Sequence, residues 1–317
     1  MSTTELVEEE AGGLPVGTGG GGGASSARRG AAAPPRRRRK WLAWLGAVPF
    51  LAYVALFLLI PTVEVIVNAF RGTSGSFSLA NVRQLTSGQY ASAYVASIKV
   101  SVATALTGGL LGFFVAWSTL QRGIPRAIRP IVTTFSGVAA NFAGIPLAFA
   151  FVATLGTTGV VTVLLAHMGL NLTAAGFTLY GFSGLVVVYT YFQFPLMLLI
   201  IIPSLEGMRT EWREATASLG GGAWSFWRYV GLPILLPSIA SAMVLLFGSA
   251  FSAYATPYAL TSGYINLVPV LIGSVMSGNI VANPGLGDAL ALGMILVVSV
   301  AVAIYVVLQR RVSRWAR

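Results

Sequence analysis

The sequence predicts an all-α membrane protein with six transmembrane helices. Its mean hydropathy is +0.79, and 56% of its 317 residues are hydrophobic while only 9% are charged. A soluble domain carries roughly 25% charged residues, so most of this chain is expected to lie in lipid. Six apolar segments each exceed the roughly 20 helical residues that cross a ~30 Å hydrocarbon core. They are approximately residues 41–69, 95–120, 130–155, 182–202, 237–257 and 286–309.

Residues 1–40 differ from the rest of the chain. They begin with an acidic stretch, continue through a Gly/Ala/Ser run and end in a basic block at residues 36–40. Such a segment buries too little apolar surface to offset the entropy lost on ordering, so we expect a disordered tail. The apolar stretch 41–69 is too long for the core of a signal peptide and lacks a small-residue cleavage site. The transmembrane domain is therefore expected to cover residues 41–317, starting with an uncleaved helix.

The distribution of basic residues predicts the orientation. Seventeen of the 20 Lys and Arg residues fall on one side of the six predicted helices, leaving Arg71, Arg83 and Lys99 on the other. The positive-inside rule then places the N and C termini, and the loop 204–236, in the cytoplasm. The basic residues stand beside hydrophobic segments rather than along an aromatic-rich polar face, so the lipid membrane explains them and no nucleic-acid partner is expected.

The composition excludes several kinds of site. The chain has no cysteine and a single histidine, which excludes disulfides and thiolate metal sites, so no metal site is expected. Its only lysines, Lys40 and Lys99, do not stand in a Gly-x-x-x-x-Gly-Lys-Ser/Thr loop, so the chain is not expected to be an enzyme or to bind a nucleotide cofactor. An intramembrane protease would need a Ser–His pair or two aspartates at membrane depth, whereas His167 is expected in a solvated outer loop.

The loop 204–236 is predicted to form a helix, an elbow and a second helix. Pro203 is expected to end the fourth transmembrane helix, and Thr210 to cap a short helix after it. Gly220 should stop that helix because glycine adopts left-handed backbone angles without strain. A second short helix is expected from Ala223. By pattern alone, this loop is equally explained as an interfacial helix anchored by its tryptophans.

The spacing inside this loop is more specific than its helical pattern. It reads Glu-Ala, four residues, Gly, nine residues and Val-x-Leu-Pro, and resembles the EAA loop of permease subunits of binding-protein-dependent ABC importers, which have the MetI-like fold. Thr216 stands where that family most often has a second Ala. Residues 77–81 and 251–257 are most similar to the spermidine/putrescine-type branch. The matched residues are Glu214, Ala215, Gly220, Val230, Leu232 and Pro233.

The resemblance, which covers residues 41–317, implies a function and a set of partners. It implies a permease of the prokaryotic cytoplasmic (inner) membrane that couples to two ATPase subunits through the six matched residues. A second permease, identical or different, and an extracytoplasmic solute-binding protein complete the expected assembly. ATP and Mg²⁺ would be bound by the ATPase subunits and not by this chain. A polyamine is the first expectation for the solute, although iron, thiamine, phosphonates and sugars use closely related permeases.

Polar residues inside the predicted helices are candidates for a substrate path, because polar groups at membrane depth tend to face a cavity or a neighbouring helix. Gln193 and Tyr189 fall near the middle of the fourth helix, and Asn141 near the middle of the third. These residues either line the path or form hydrogen bonds between helices.

Four further residues define a possible outer vestibule for a cation. Tyr254 and Tyr258 are predicted at the outer end of the fifth helix, and Glu64 and Asp288 at the outer ends of the first and sixth. The tyrosines are equally explained as an aromatic belt and the carboxylates as hydrated groups at helix ends.

An ion-gradient-driven secondary carrier is the alternative function. It would need a titratable residue near the membrane midplane, and the predicted helices have none there. The sequence also lacks a convincing internal repeat, a feature of many secondary transporters.

Overall fold

The computed structural model describes residues 47–72, 76–121, 123–125, 127–277 and 284–315. The chain divides into two units, residues 1–53 and 54–317. Of the first unit, only residues 47–53 are described, and they are helical from Val48 onward. The predicted disordered tail, residues 1–40, lies outside the described residues.

Helices make up the regular structure, and no strand occurs in the described ranges, which confirms the all-α prediction. Two of the helices, α1 and α9, contain one π-helical turn each, at Ala55–Leu59 and Trp227–Gly231. The helices are α1 (Val48–Ala69), α2 (Ala80–Gln84), α3 (Gly88–Thr119), α4 (Ile128–Asn141), α5 (Ile145–Leu155), α6 (Val160–His167), α7 (Phe182–Glu206), α8 (Thr210–Ser218), α9 (Ala223–Phe251), α10 (Ala255–Thr261), α11 (Val268–Met276) and α12 (Pro284–Trp315).

Six stretches of the described chain are long and apolar enough to cross a membrane, as predicted. These stretches are identified by their length and composition. Five of the six coincide with segments predicted from the sequence. The stretches are Val48–Ala69, Gly88–Thr119, Ile145–His167, Phe182–Glu206, Ala223–Phe251 and Gly285–Val307.

The prediction of one helix over residues 130–155 is wrong. Helix α4 ends at Asn141 and α5 begins at Ile145, with Gly144 between them at a φ of 75°. Pro146 has no N–H with which to continue the hydrogen-bonding pattern of α4, and Gly144 permits the left-handed turn. The stretch of spanning length and hydropathy is instead Ile145–His167, formed by α5 and α6.

Three helix ends also differ from the prediction. Helix α7 continues to Glu206, so Pro203 lies inside the helix and does not end it. One missing hydrogen bond in the last turn is insufficient to stop a helix whose other bonds remain. Helix α3 begins at Gly88 rather than at residue 95, and α9 ends at Phe251 rather than at residue 257.

The centre of the bundle is the contact between α3 and α7. The buried face of α3 carries small residues, which let two helix backbones approach closely. A Cβ atom added at Gly108 would lie 2.6 Å from the Cβ of Gln193, and one at Gly112 would overlap the backbone oxygen of Phe194. Helix α9 packs on the same two helices. The small buried residues of α3 are Ala93, Ser97, Ser101, Thr104, Ala105, Gly108, Gly109, Gly112 and Ala116.

The opposite face of α3 carries large apolar side chains. Leu106, Leu110 and Phe114 are about half exposed, while Thr104 and Gln193 are fully buried. A soluble protein has the reverse arrangement, with large apolar side chains inside and polar ones outside. The distribution therefore fits a bundle whose outer surface is covered by lipid.

The segment that follows α1 folds back onto the end of that helix. The ring of Phe77 stacks on Phe70 with centroids 5.9 Å apart, and the side-chain amide of Asn81 donates a hydrogen bond of 3.0 Å to the Arg71 carbonyl. Asn81 is buried at the start of α2. Helix α12 packs against both α1 and α2, so this turn fixes one end of the bundle.

Gly112→Ala should lower thermal stability, because the new methyl group would overlap the backbone of α7. Overpacking of a close contact costs about 1–3 kcal/mol. Gly248→Ala is the matched control, since a Cβ at Gly248 meets nothing within 4 Å and alanine favours the helix. Thermal unfolding of the purified protein in detergent, followed by tryptophan fluorescence, compares the two. Equal melting temperatures for both variants would contradict the close helix contact.

Candidate functional site

The loop between α7 and α9 projects from the ends of the transmembrane helices, and we call residues 207–233 the coupling segment. It begins with Gly207 and continues into α8 (Thr210–Ser218). Arg209 has the extended backbone of an N-cap residue, with a ψ of 139°, and Thr210 is the first helical residue. The prediction that Thr210 caps this helix is therefore wrong by one position.

Gly220 ends α8, as predicted. Its φ of 77° is left-handed. The Gly220 N–H donates to the Ala217 carbonyl and the Gly221 N–H to the Thr216 carbonyl, both at 2.9 Å. This pair of bonds is the Schellman arrangement, which satisfies the last carbonyls of a helix and requires a residue tolerant of positive φ. Nothing lies within 4 Å of a Cβ built on Gly220, so the requirement for glycine is conformational and not steric.

The second helix of the coupling segment is continuous with a transmembrane helix. It starts at Ala223 as predicted, passes through the π turn at Trp227–Gly231 and runs on to Phe251 without a break. The sequence predicted a separate short helix followed by a span. The structure instead forms one helix, α9, in which Pro233 lies just after the π turn.

Aromatic contacts hold the coupling segment to the bundle. The Arg213 guanidinium of α8 lies 5.3 Å from the ring centroid of Phe226, which is 4% exposed. The Trp227 ring meets Trp117 of α3 edge to face, with centroids 5.9 Å apart. On the other side of the loop, Arg129 at the start of α4 forms an ion pair with Glu206 at the end of α7. Helix α8 is thus positioned by α9, and α9 by α3.

The residues matched in sequence lie on the surface of this segment. Val230 is half-buried and the other five are exposed. Three large apolar side chains are exposed beside them: Leu219 at 89%, Trp224 at 76% and Tyr229 at 72%. Sequence analysis considered Trp224 only in the alternative interpretation of an interfacial helix anchored by tryptophans, and overlooked Leu219 and Tyr229. Leu219 directly precedes the glycine elbow, which could have marked it, whereas no sequence pattern marked Tyr229. The matched residues are Glu214, Ala215, Gly220, Val230, Leu232 and Pro233.

A buried polar group lies at the contact between α3 and α7. The Gln193 side-chain N–H donates a 3.0 Å hydrogen bond to the Thr104 hydroxyl, which donates in turn to the Ser101 carbonyl at 3.2 Å. Gln193 is fully buried and Tyr189, one helical turn before it, is 1% exposed. In the described part of the chain, the Gln193 Oε1 and the Tyr189 hydroxyl have no hydrogen-bond partner. A hydrogen bond from the side-chain amide of Gln193 thus joins the two helices, and the Oε1 atom of the same amide is left without a partner among the described residues.

Tyr189 also borders a small cavity between α3, α7 and α9. Ser97, Ser101 and Phe251 line it as well, and its volume of about 10 Å³ is close to what a single water molecule needs. The cavity therefore offers room for one small polar group beside the Tyr189 hydroxyl.

Asn141 is not part of this polar group. It is the last residue of α4, is exposed, and donates from its side chain to the Gly137 carbonyl of its own helix at 2.8 Å. The expectation that it lies mid-helix fails because the chain breaks at residues 142–144. His167 is exposed at the end of α6, with its Nδ1 2.8 Å from the Val163 carbonyl oxygen.

The four vestibule residues form two pairs. The Tyr254 and Tyr258 rings stack with centroids 5.3 Å apart and an interplanar angle of 20°, and both are exposed. They lie at α10, which begins four residues after the end of α9. Glu64 lies on α1 and Asp288 on α12, two helices that pack against each other. Among the described residues, no group of three or more His, Asp or Glu could hold a metal ion.

Comparison with known proteins links the chain to permeases. It is 30% identical over 115 residues to the thiamine transport system permease ThiP of Escherichia coli, a match that covers 36% of this chain and 21% of that protein. It is 27% identical over 192 residues to the inner membrane ABC transporter permease YdcU of the same organism, covering 57% of this chain and 60% of YdcU. The chain therefore spans less than two thirds of the length of either relative.

A further relative and a solved structure extend the likeness. The chain is 25% identical over 206 residues to a probable sulfate transport system permease, cysT, of Helicosporidium, covering 64% of this chain and 71% of that protein. Its fold matches a chain of a bacterial ABC transporter involved in the import of the acidic polysaccharide alginate. The TM-score is 0.67 at 18% identity, and the match covers 86% of this chain and 96% of the other. No family model matches the chain.

The chain is thus similar over part of its length to ABC transporter permeases, and its fold is similar to that of a chain of the alginate transporter. The narrower resemblance to the spermidine/putrescine branch stays a prediction.

Thr104→Val should destabilise the bundle, because it removes the hydroxyl that accepts the Gln193 amide and leaves a buried N–H unpaired. Bonds of this kind between membrane helices contribute about 0.6–2 kcal/mol. Thr104→Ser keeps the hydroxyl and is the control. Resistance to thermal unfolding in detergent is the measurement, and a Val variant as stable as the Ser variant would show that the bond contributes nothing.

Proposed function

We propose that this chain is the permease subunit of an ATP-driven importer. The observation that carries the proposal is the coupling segment, an exposed helix and glycine elbow joined without interruption to a transmembrane helix. Its spacing resembles the EAA loop, and the similarity to ABC transporter permeases supports the same assignment.

In this proposal, two separate ATPase subunits hydrolyse ATP in the cytoplasm and bind the coupling segment. The exposed apolar side chains of Leu219, Trp224 and Tyr229 provide contact area for such a partner, since aromatic and apolar residues are enriched in protein interfaces. A displacement of α8 passes to α9 through the Arg213–Phe226 contact and to α3 through Trp227 and Trp117. Alternating access then follows from movement of α3 and α9 against α7.

We further propose that the substrate is a small organic cation. Among the described residues, the buried Gln193 Oε1 has no hydrogen-bond partner, and a protonated amine is a donor that would satisfy it. The stacked Tyr254 and Tyr258 rings can hold a cation over a ring face, and Glu64 and Asp288 attract positive charge. A polyamine is a cation of this kind, and so is thiamine, the solute that the name of one relative mentions.

The remaining partners follow from the same proposal. A second permease, either another copy or a homologue, completes the pathway in the prokaryotic inner membrane. A solute-binding protein delivers the substrate at the outer face, where the positive-inside rule places the two tyrosines. The alginate transporter was solved in complex with a substrate-bound periplasmic protein, which supports a delivery step of this kind.

A secondary carrier driven by an ion gradient is the second candidate, favoured by the neighbouring carboxylates of Glu64 and Asp288 on two apolar helices. Ionisable residues inside transmembrane segments mark ion and proton pathways, and this pair lies near the ends of α1 and α12 rather than at their middles.

Transport should require ATP and a partner ATPase. The chain, reconstituted in vesicles with its ATPase and binding protein, should accumulate labelled putrescine or thiamine only when ATP is present on the ATPase side. Ionophores that collapse ion gradients should leave the uptake unchanged. Uptake that persists without the ATPase and stops with the ionophore would favour the secondary carrier.

Gly220→Val should uncouple ATP hydrolysis from transport, because valine at a φ of 77° is strained and the elbow must change shape. Strain of this kind costs about 1–3 kcal/mol, and we expect uptake per ATP hydrolysed to fall at least tenfold while membrane insertion is retained. Gly222→Val is the matched control, since Gly222 has a φ of −83° and open space around its Cβ position. Equal uptake per ATP hydrolysed in the two variants would show that Gly220 is not needed for coupling.

A further inference from the structure

A cavity of about 220 Å³ lies behind the coupling segment, between the ends of α3 and α7 and the start of α9. Pockets for drug-sized ligands are roughly 300–1,000 Å³, so this one suits a single ion or headgroup. Part of the wall is apolar, with Leu205 and Phe226 among its members. The polar part is formed by Trp117, Gln121, Arg209, Thr210 and Arg213.

The charge of this cavity is positive. Arg209 and Arg213 contribute two guanidinium groups, and none of the residues that line it is acidic. Within the described residues, neither arginine forms an ion pair with a carboxylate. Thr210 adds the N-terminal turn of α8, which has no side-chain cap and carries the positive end of the helix dipole. A guanidinium is the side chain best suited to bind a phosphate through two parallel hydrogen bonds.

A second, independent observation points to a ligand. The Trp117 indole Nε1 is buried and has no hydrogen-bond partner in the described part of the chain. Buried N–H groups are rarely left unpaired because the lost hydrogen bond to water is costly. Trp117 also lines the cavity, and an oxygen atom bound there would reach this buried donor after a small rotation of the indole ring.

The position of the cavity indicates the source of such an oxygen. It opens where α3 and α7, two helices of spanning length, reach their ends at Thr119 and Glu206. This is the level of the lipid headgroups. We propose that the cavity binds a negatively charged phosphate group, and that an anionic phospholipid of the adjacent leaflet supplies it.

Bound there, the phosphate holds α8 against α3 and α7, so the charge of the membrane sets how firmly the coupling segment is seated. The binding step itself does not depend on the proposed transport function.

The test measures lipid binding to the full-length protein in detergent by native mass spectrometry, with phosphatidylglycerol and phosphatidylcholine added separately. We expect one phosphatidylglycerol to be retained at least tenfold more tightly than phosphatidylcholine. Arg213→Gln should weaken phosphatidylglycerol binding about tenfold, the loss expected for one charge-assisted hydrogen-bonded pair. Arg228→Gln is the matched control, because Arg228 also lies over an aromatic ring, that of Tyr229 at 5.8 Å, but does not line the cavity.

Trp117→Phe keeps the ring and removes the N–H donor, and should weaken binding several-fold. If Arg213→Gln fails to fold, Trp117→Phe by itself tests the proposed binding site. Inorganic phosphate identifies the source: displacement of the lipid by millimolar phosphate indicates a site for soluble phosphate, and its failure to compete indicates a headgroup site. Equal affinity for the two lipids, equal loss in Arg213→Gln and Arg228→Gln, or undiminished binding by Trp117→Phe would overturn the proposal.

Discussion

The close approach of α3 and α7 is the contact on which the rest of the bundle depends. In lipid, helices gain little from burying apolar side chains, because the acyl chains are equally apolar. They associate where backbones come close and where polar groups find partners. Gly108 and Gly112 provide the first condition and the Gln193–Thr104 hydrogen bond the second, within the same two turns of helix. Helix α9 then packs on both partners.

The same contact explains why polar residues are fully buried in so apolar a chain. An amide at membrane depth must have a partner or a ligand. Gln193 has a partner for its N–H and none among the described residues for its Oε1, so it is both a structural residue and an available acceptor. Structural support and the proposed recognition of substrate are therefore compatible at this position. A single side chain meets both requirements because an amide has a donor at one end and an acceptor at the other.

Sequence reasoning succeeded where one residue type decides the local structure. Hydropathy and length gave six spanning segments, and the glycine at position 220 correctly marked the end of α8. It failed where the outcome depends on several weak preferences together. Hydropathy does not report backbone breaks, so the turn at Gly144 and Pro146 was missed inside an apolar run. Pro203 was given too much weight, because a proline near the end of a long helix removes only one bond.

The candidate site, too, could be predicted from the sequence only in part. The spacing of the coupling segment is a local pattern and was visible in the sequence, whereas the exposure of Leu219 and Tyr229 depends on how the segment packs. The cavity beside Arg213 brings together residues from α3, α7, α8 and α9. The lining residues come from three separate stretches of the chain, 117–121, 205–213 and 226–227, so no sequence window contains the site.

Because α9 is one continuous helix, a movement at its elbow end also moves its opposite end. At 1.5 Å per residue, the 29 residues of Ala223–Phe251 form a rod about 44 Å long. A tilt of about 10° at the end next to the elbow moves the opposite end by about 8 Å, on the scale of a solute molecule. The π turn at Trp227–Gly231 sits near the pivot, where an extra residue per turn can absorb rotation without breaking the rod. In the proposed coupling, a small displacement of α8 would therefore become a larger displacement at the far end of α9.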